Sequence, residues 1–334
     1  MSISAAINGF GRIGRLTLRA ILENNRQDID VVAANSRADA KTMAHLLKYD
    51  SVHGPLQADV THGDDWIGIN GKKIKYTRNS DASENNWQGV DVVMECSGKL
   101  NNRDASAIHL ACGAKYVLVS APCTNADATI VYGVNEDVFQ PNMQVVSNAS
   151  CTTNCLAPVA KILHDNLGIK NGYMTTIHAY TGDQNTIDAS HKDLRRARTA
   201  ACSIIPTSTG AAKNIGLVIP DLKGRLDGTA IRVPTPNVSC VDLTLNVEKP
   251  TSAQQVNDMM LAAASSEKLK NILAINSEDL VSVDFNKHPA SSIFDTTQTQ
   301  VIDGNLVRIL AWYDNEWGFS CRMADLAVYM LNRA

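Results

Sequence analysis

Neither sign of charge dominates this chain, and neither forms a block: 31 Lys and Arg face 34 Asp and Glu, for a formal net charge of -3. A polyanion-binding stripe needs clustered cations, so nucleic acid is not expected as the main partner. No stretch approaches the roughly 18 uninterrupted apolar residues of a membrane span, and Arg12 arrives too early for the apolar core of a signal peptide. A membrane partner is therefore not expected, and the cytoplasm is the expected location. Cysteine is sparse, eight in 334 residues, and no export signal assigns them to an oxidising compartment, so reduced thiols are expected. No second Cys or His pair accompanies Cys151 and Cys155 at zinc-like spacing, so no metal is expected. Internal repeats and low-complexity segments are missing too.

What the chain does have is length. At 334 residues it is about twice the commonest domain size, and 44% hydrophobic with 19% charged residues suits a large soluble core. Up to about residue 150, short β-branched runs alternate with helical stretches: Ile3 to Ile7, Val31 to Asn35, Val90 to Cys96, Tyr116 to Val119 and Gln144 to Val146. That alternation predicts an α/β fold with a Rossmann-type doubly wound parallel sheet. The intervening helix from Arg12 carries Ile13, Leu16, Ala20 and Ile21 on one stripe. Beyond Cys151 the texture changes. Val241, Leu243, Leu245 and Val247 alternate with Asp242, Thr244 and Asn246, the pattern of a strand buried on one face, so the second half reads as an α+β domain with a mostly antiparallel sheet. Met323, Leu326, Ala327, Met330 and Leu331 predict a closing amphipathic helix. The expected boundaries are 1–149, 150–315 and 316–334, the last packing back on the first domain.

Gly9-Phe10-Gly11-Arg12-Ile13-Gly14 fits G-x-G-x-x-G between a predicted strand and a predicted helix, which is the context of a dinucleotide site. The first glycine permits the tight turn, the second lets backbone approach a pyrophosphate, and the third lets helix pack on strand. An acid some 20 residues on would take the ribose hydroxyls of NAD. Here the second strand ends Asn35-Ser36-Arg37. A serine hydroxyl can donate to an added 2′-phosphate and an arginine can pair with it, so NADP as well as NAD is expected to bind. On the competing reading Arg37 is solvated and Asn35 alone serves the ribose.

Ser147 through Cys155 leads into a predicted helix with Leu156, Val159, Ile162 and Leu163 on its buried stripe. Cys151 falls at that helix's amino terminus, where the helix dipole lowers a thiol pKa, whereas Cys155 lies one turn inside. A reactive thiol and an inert core cysteine are both open on these grounds.

These residues resemble the phosphorylating glyceraldehyde-3-phosphate dehydrogenases, and the resemblance runs essentially end to end. It rests on Ile7 to Arg15, Ser147 to Cys155, Thr176 to Gln184, Pro206 to Lys213, Arg232 to Asn237 and Trp312 to Gly318. The resemblance implies that Cys151 attacks the aldehyde of glyceraldehyde 3-phosphate, that His178 pairs with the sulfur and accepts the hydroxyl proton, and that inorganic phosphate cleaves the resulting thioester. It further implies that Thr181 and Arg232 hold the substrate phosphate. Ser150, Thr209 and Gly210 form the inorganic phosphate pocket, joined by Thr152 and by Arg195 from the cluster Lys192 to Arg198. Asn315 fixes the nicotinamide carboxamide, and Ser97, Gly98 and Ser120 line the cofactor. A homotetramer is implied, with the loop Thr181 to Thr199 reaching a neighbouring subunit.

Three departures from the family pattern stand out. Ser36 replaces the usual acid, Ala189-Ser190 replaces the Leu-Pro common in strictly NAD-dependent members, and Phe319 replaces a frequent tyrosine. The first two point to NADP use. The sister activity on erythrose 4-phosphate is the alternative, suggested by Ala38 to Asp50 and opposed by Tyr180-Thr181-Gly182. A Cys-His acyltransferase or hydrolase is the alternative from another class; it leaves the glycine fingerprint and Asn315 unexplained.

Overall fold

The structure, a computed structural model, describes residues 2–334. The chain divides into two compact units: one holds the chain up to Tyr132 with Glu136–Ser150 and Ser320–Ala334, the other Gly133–Asn135 and Cys151–Phe319.

In the first unit the described residues form a nine-stranded sheet. Its parallel centre is Ile3–Asn8, flanked by Ile29–Asn35 on one side and Val92–Glu95 on the other, with Tyr116–Val119, Val145–Ser147 and Ala128–Thr129 following. The strands Ile3–Asn8 and Val92–Glu95 are almost completely buried, as strands covered on both faces must be. Because the chain goes one way to Ile29–Asn35 and the other way to Val92–Glu95, the carboxyl ends of these strands form the switch-point crevice in which α/β sheets bind ligands. The opposite edge is built by Val60–His62, Trp66–Ile69 and Lys72–Thr77, which pair antiparallel with one another and join the sheet through Ile29–Asn35.

The helix Arg12–Glu23 buries Leu16, Ala20 and Ile21 as its stripe predicts, but Ile13 only partly. It also buries Arg15 and Arg19. Their guanidiniums find partners in the surrounding chain: Arg15 donates to the Phe10 carbonyl, and Arg19 to Glu23 and the Gly54 carbonyl.

The second unit is organised on an eight-stranded sheet among the described residues. Ile169–Ala179 lies at its centre, parallel to Leu226–Val233 and antiparallel to Ser239–Val247, which in turn pairs antiparallel with Leu306–Tyr313. Val241, Leu243, Leu245 and Val247 are fully buried while Asn246 is exposed, so the alternation sets the core face. The helix Cys151–Leu167 lays Leu156, Val159, Ile162 and Leu163 into the core. The final helix, Trp317–Arg333, belongs from Ser320 onward to the first unit, and its Met323, Leu326, Ala327 and Met330 are buried and Leu331 only partly. All eight cysteines are free thiols. Among the described residues, no helix is long and apolar enough to cross a membrane, and no group of three or more His, Cys, Asp or Glu is arranged to hold a metal.

Candidate active site

The crevice of the first unit is a cavity of about 780 Å³ whose wall includes Asn8, Gly9, Phe10, Gly11, Asn35, Ser36, Arg37 and Ser97. Gly9 has φ +93°, and a Cβ there would sit 2.3 Å from the Ser97 nitrogen; a Cβ on Gly14 would sit 2.3 Å from the Gly9 carbonyl oxygen. Gly11 faces open space, and the helix it opens has no side-chain cap and no acid in its first turn. The positive end of a helix dipole beside a glycine cradle suits a pyrophosphate. The residues present therefore fit a dinucleotide.

A buried hydrogen-bond network fixes this wall. Glu95, 1% exposed, accepts from Asn8 Nδ2 at 2.6 Å, from His109 Nε2 at 2.9 Å, from the Ser97 amide at 2.7 Å and from the Ser97 hydroxyl. The Trp87 indole can only donate, so His109 Nδ1 accepts from it at 3.1 Å and Nε2 must carry the proton given to Glu95. Asn35 is saturated: its Nδ2 donates to Asn8 Oδ1 and the Asn79 carbonyl, and its Oδ1 accepts from the Thr77 hydroxyl and the Asn79 amide. The Asn35 side chain is thus fully engaged within the wall, which counts against the reading in which it alone serves a ribose.

Ser36 is half-buried, and Arg37 is exposed without an ion pair among the described residues. Arg12 turns its guanidinium to Asp50 at 2.6 Å; burial pushes the Asp50 carboxyl up, but the amides of Val52 and His53, the His53 side chain and Arg12 hold it well below the usual range. Arg12, Ile13, Gly14, Gly98 and Ser120 do not line the cavity. The segment Asn79–Ala82 with Cys96, Lys99 and Leu100 does, and the sequence reading missed it. The signal that was available was Glu95, a charge ending an otherwise apolar strand.

In the second unit Cys151 opens the helix Cys151–Leu167, two residues after Ala149, whose φ of +56° is a left-handed conformation rare for a residue with a side chain. Its Sγ lies 3.6 Å from Nε2 of His178, which the strand Ile169–Ala179 delivers almost fully buried. Arg232 stands opposite His178 in the parallel pairing. Its Nη1 lies 2.8 Å from His178 Nδ1 and donates to the Ala179 carbonyl at 2.9 Å, while Nδ1 itself lies 2.7 Å from that carbonyl. His178 Nδ1 thus faces both a donor, Arg232, and an acceptor, the Ala179 carbonyl; in the tautomer that donates to Ala179, Nε2 is the acceptor facing sulfur. Below the pair, the Tyr313 hydroxyl is 2.9 Å from both the Thr152 and the Thr176 hydroxyls, and its ring meets His178 edge-on at 5.9 Å.

The electrostatics correct one expectation. Burial raises the Cys151 thiol pKa above its ordinary value, against the lowering by Arg232 and by hydrogen bonding, so the expected net lowering at the helix start is not found. Desolvation of the anion outweighs a half-charge dipole there. Burial first, and then Arg232, lower His178 to about 3. The resting pair is a neutral thiol against a neutral imidazole, and Arg232 favours the thiolate while opposing an imidazolium. Cys155 is fully buried beside Ser292, and burial pushes its thiol far up.

Asn315 is buried, with Oδ1 accepting from the Ser239 hydroxyl at 2.9 Å. The next-door Asp314 accepts from the Asn237 side chain and from the amides of Lys287, Glu316 and Trp317, which fixes the segment. Within the arginine cluster, Arg196 is paired with Asp183 and Asp193 and Arg198 with Asp188. Arg195 is exposed and lines a separate cavity of about 610 Å³ with Thr207 and Ser208. The Thr181 hydroxyl and amide face Gln184, and the Thr209 hydroxyl accepts from the Ala211 amide next to Gly210, which caps the helix Ala211–Val218. Ser150 is half-buried. Among the described residues, Arg232, Thr152 and Tyr313 gather at the Cys151-His178 pair, and no hydrogen bond joins Thr181, Arg195, Thr209 or Gly210 to it.

Fold and crevice together define a class: a two-unit, NAD-linked oxidoreductase. Comparison with known proteins narrows it. The family description "Glyceraldehyde 3-phosphate dehydrogenase, NAD binding domain" matches residues 3–103, and "Glyceraldehyde 3-phosphate dehydrogenase, C-terminal domain" matches residues 150–315. The chain is 59% identical over 330 residues to the glyceraldehyde-3-phosphate dehydrogenase of Cereibacter sphaeroides, covering 99% of each, and 53% identical over 336 residues to that of Geobacillus stearothermophilus, covering 100% of this chain and 99% of the relative. The corresponding protein of Pseudomonas aeruginosa is 52% identical over 331 residues, with 98% of each chain covered. The chain belongs to the glyceraldehyde 3-phosphate dehydrogenase family.

Proposed function

We propose that the protein catalyses the reversible oxidation of D-glyceraldehyde 3-phosphate with NAD and inorganic phosphate to 1,3-bisphosphoglycerate, through a covalent intermediate on Cys151. The observation that carries this reading is the 3.6 Å approach of the Cys151 sulfur to His178 Nε2 with Arg232 against the ring. In the first step sulfur bonds to the aldehyde carbon as the C=O π bond opens, and His178 Nε2 takes the thiol proton and passes it to the former carbonyl oxygen, which becomes the hydroxyl of a thiohemiacetal and leaves His178 neutral again. Bound NAD supplies the hydride acceptor. His178 accepts the hydroxyl proton as the carbon is oxidised, which leaves a thioester on Cys151. An oxygen of inorganic phosphate then attacks the thioester carbon, the C–S bond breaks, and sulfur leaves as a thiolate that Arg232 stabilises.

Arg232 and Thr181 are the proposed partners of the substrate phosphate, and Ser150, Thr152, Arg195, Thr209 and Gly210 those of the attacking phosphate. The dinucleotide is assigned to Gly9 through Gly14, with Ser97, Gly98 and Ser120 around it and Asn315 at the carboxamide. Ser36 and Arg37 extend the coenzyme range to NADP. Both line the cavity, and the acid in its wall, Asp81, is turned to the Ser83 amide and hydroxyl. A cytoplasmic homotetramer is the proposed assembly.

Steady-state formation of reduced nucleotide tests the reading. Turnover with glyceraldehyde 3-phosphate should require phosphate or arsenate and should exceed turnover with erythrose 4-phosphate; phosphate-independent turnover, or a preference for the four-carbon sugar, would contradict it.

A further inference from the structure

The Ala179 backbone serves two groups at once. Its carbonyl holds His178 Nδ1 and Arg232, and its amide donates to the Ser239 hydroxyl at 3.0 Å. Ser239, 1% exposed, begins its strand opposite Tyr313, which lies two residues before Asn315. A backbone N–H can only donate, so Ser239 Oγ accepts there and must spend its own hydrogen on another acceptor. The group within reach is the Asn315 amide at 2.9 Å, which fixes Oδ1 as the end turned to Ser239. The other end, Nδ2, makes no hydrogen bond to any described residue and is therefore left as a donor.

We infer that Ser239 is a positioning residue that locks the amide of Asn315 with its N–H donors outward, and so sets how the nicotinamide carboxamide is recognised. The inference rests on the assignment of Asn315 to that carboxamide. Without the hydroxyl nothing favours one amide orientation over its flip, and the flipped form presents an acceptor where the carboxamide carbonyl needs a donor. Ala179 touches both groups, with its carbonyl at His178 and its amide at Ser239.

The test compares NAD with ADP-ribose, which lacks the nicotinamide ring, by calorimetric titration of the purified protein. Ser239→Ala should weaken NAD about 5- to 10-fold, the worth of one hydrogen bond and its misoriented alternative, and leave ADP-ribose unchanged. In an Asn315→Ala background the same substitution should add nothing. Ser239→Thr keeps the hydroxyl and should restore the NAD to ADP-ribose ratio, so it reads the claim even where the alanine variant folds poorly. Equal weakening of both ligands by Ser239→Ala, or a lost ratio in Ser239→Thr, overturns the inference. Asn315→Ala weakened for NAD with Ser239→Ala unaffected overturns it alone; Asn315→Ala with undiminished NAD affinity overturns the carboxamide assignment and the inference with it.

Discussion

Replacing Glu95 by Gln removes one acceptor oxygen and inserts an NH2 into a site that holds only donors. The carboxylate takes four: Asn8 Nδ2, His109 Nε2 and the amide and hydroxyl of Ser97. Turned toward Asn8 and His109, the new NH2 meets two fixed donors. His109 cannot change tautomer while Trp87 donates to its Nδ1, and Asn8 cannot flip while its Oδ1 serves Asn35. Turned toward Ser97, it can give a proton to the hydroxyl but still opposes the backbone N–H. The second orientation is the less costly one. It forfeits one buried bond to a charged acceptor, leaves a donor unsatisfied, and should cost about 2–4 kcal/mol. For a unit of this size that lowers the unfolding midpoint by roughly 4–16 °C. Because Asn8 and Ser97 form the cavity wall, NAD affinity should fall along with stability. Differential scanning fluorimetry with a parallel NAD titration measures both; a midpoint within about 1 °C of the native protein and unchanged affinity would refute the network argument.

Three further outcomes follow from the site. His178 has a pKa of about 3 in the folded protein, below its ordinary value, so the unfolded chain binds the extra proton first. The stability this contributes is fully present above about pH 6.5 and is lost as pH falls toward 3. His178→Asn should therefore lose less stability than the native protein between pH 7 and 4, as well as slowing acylation by roughly 10² to 10⁴; parallel pH profiles would contradict the buried neutral ring. Arg232→Ala removes the cation that lowers the Cys151 thiol, so iodoacetamide alkylation should move to higher pH, and an unmoved profile would discount that influence. Ser36→Asp should depress kcat/KM for NADP far more than for NAD, and equal losses would retire the 2′-phosphate argument.

Much of the architecture was legible because its signals are local. Gly14 meets a steric demand from Gly9 in the same turn, and the alternation from Val241 to Val247 needs only one buried face. The antiparallel edge around Lys72–Thr77 went unread although Ile74 and Tyr76 alternate with lysines, since the same run reads equally as a polar loop. The burial of Arg15 and Arg19 could not be read from helical periodicity, because it depends on partners that tertiary folding supplies, such as the Gly54 carbonyl and Met43. Cys151 and His178 were singled out through motifs, and the structure brings them within 3.6 Å of each other. The direction of the thiol's shift was not, because helix position is visible in sequence and desolvation is not. The saturated amide of Asn35 belongs to the same kind: four hydrogen bonds to Asn8, Thr77 and Asn79 engage it, and only tertiary folding brings these residues together.

The most direct test of the account is to mix the protein with NAD and glyceraldehyde 3-phosphate in the absence of phosphate, quench in acid within one turnover, and map the acylated peptide by mass spectrometry. The account predicts a stoichiometric burst of reduced nucleotide with the acyl group on the peptide bearing Cys151, both abolished in Cys151→Ser. An acyl group on another cysteine, or a burst that survives in Cys151→Ser, would contradict it.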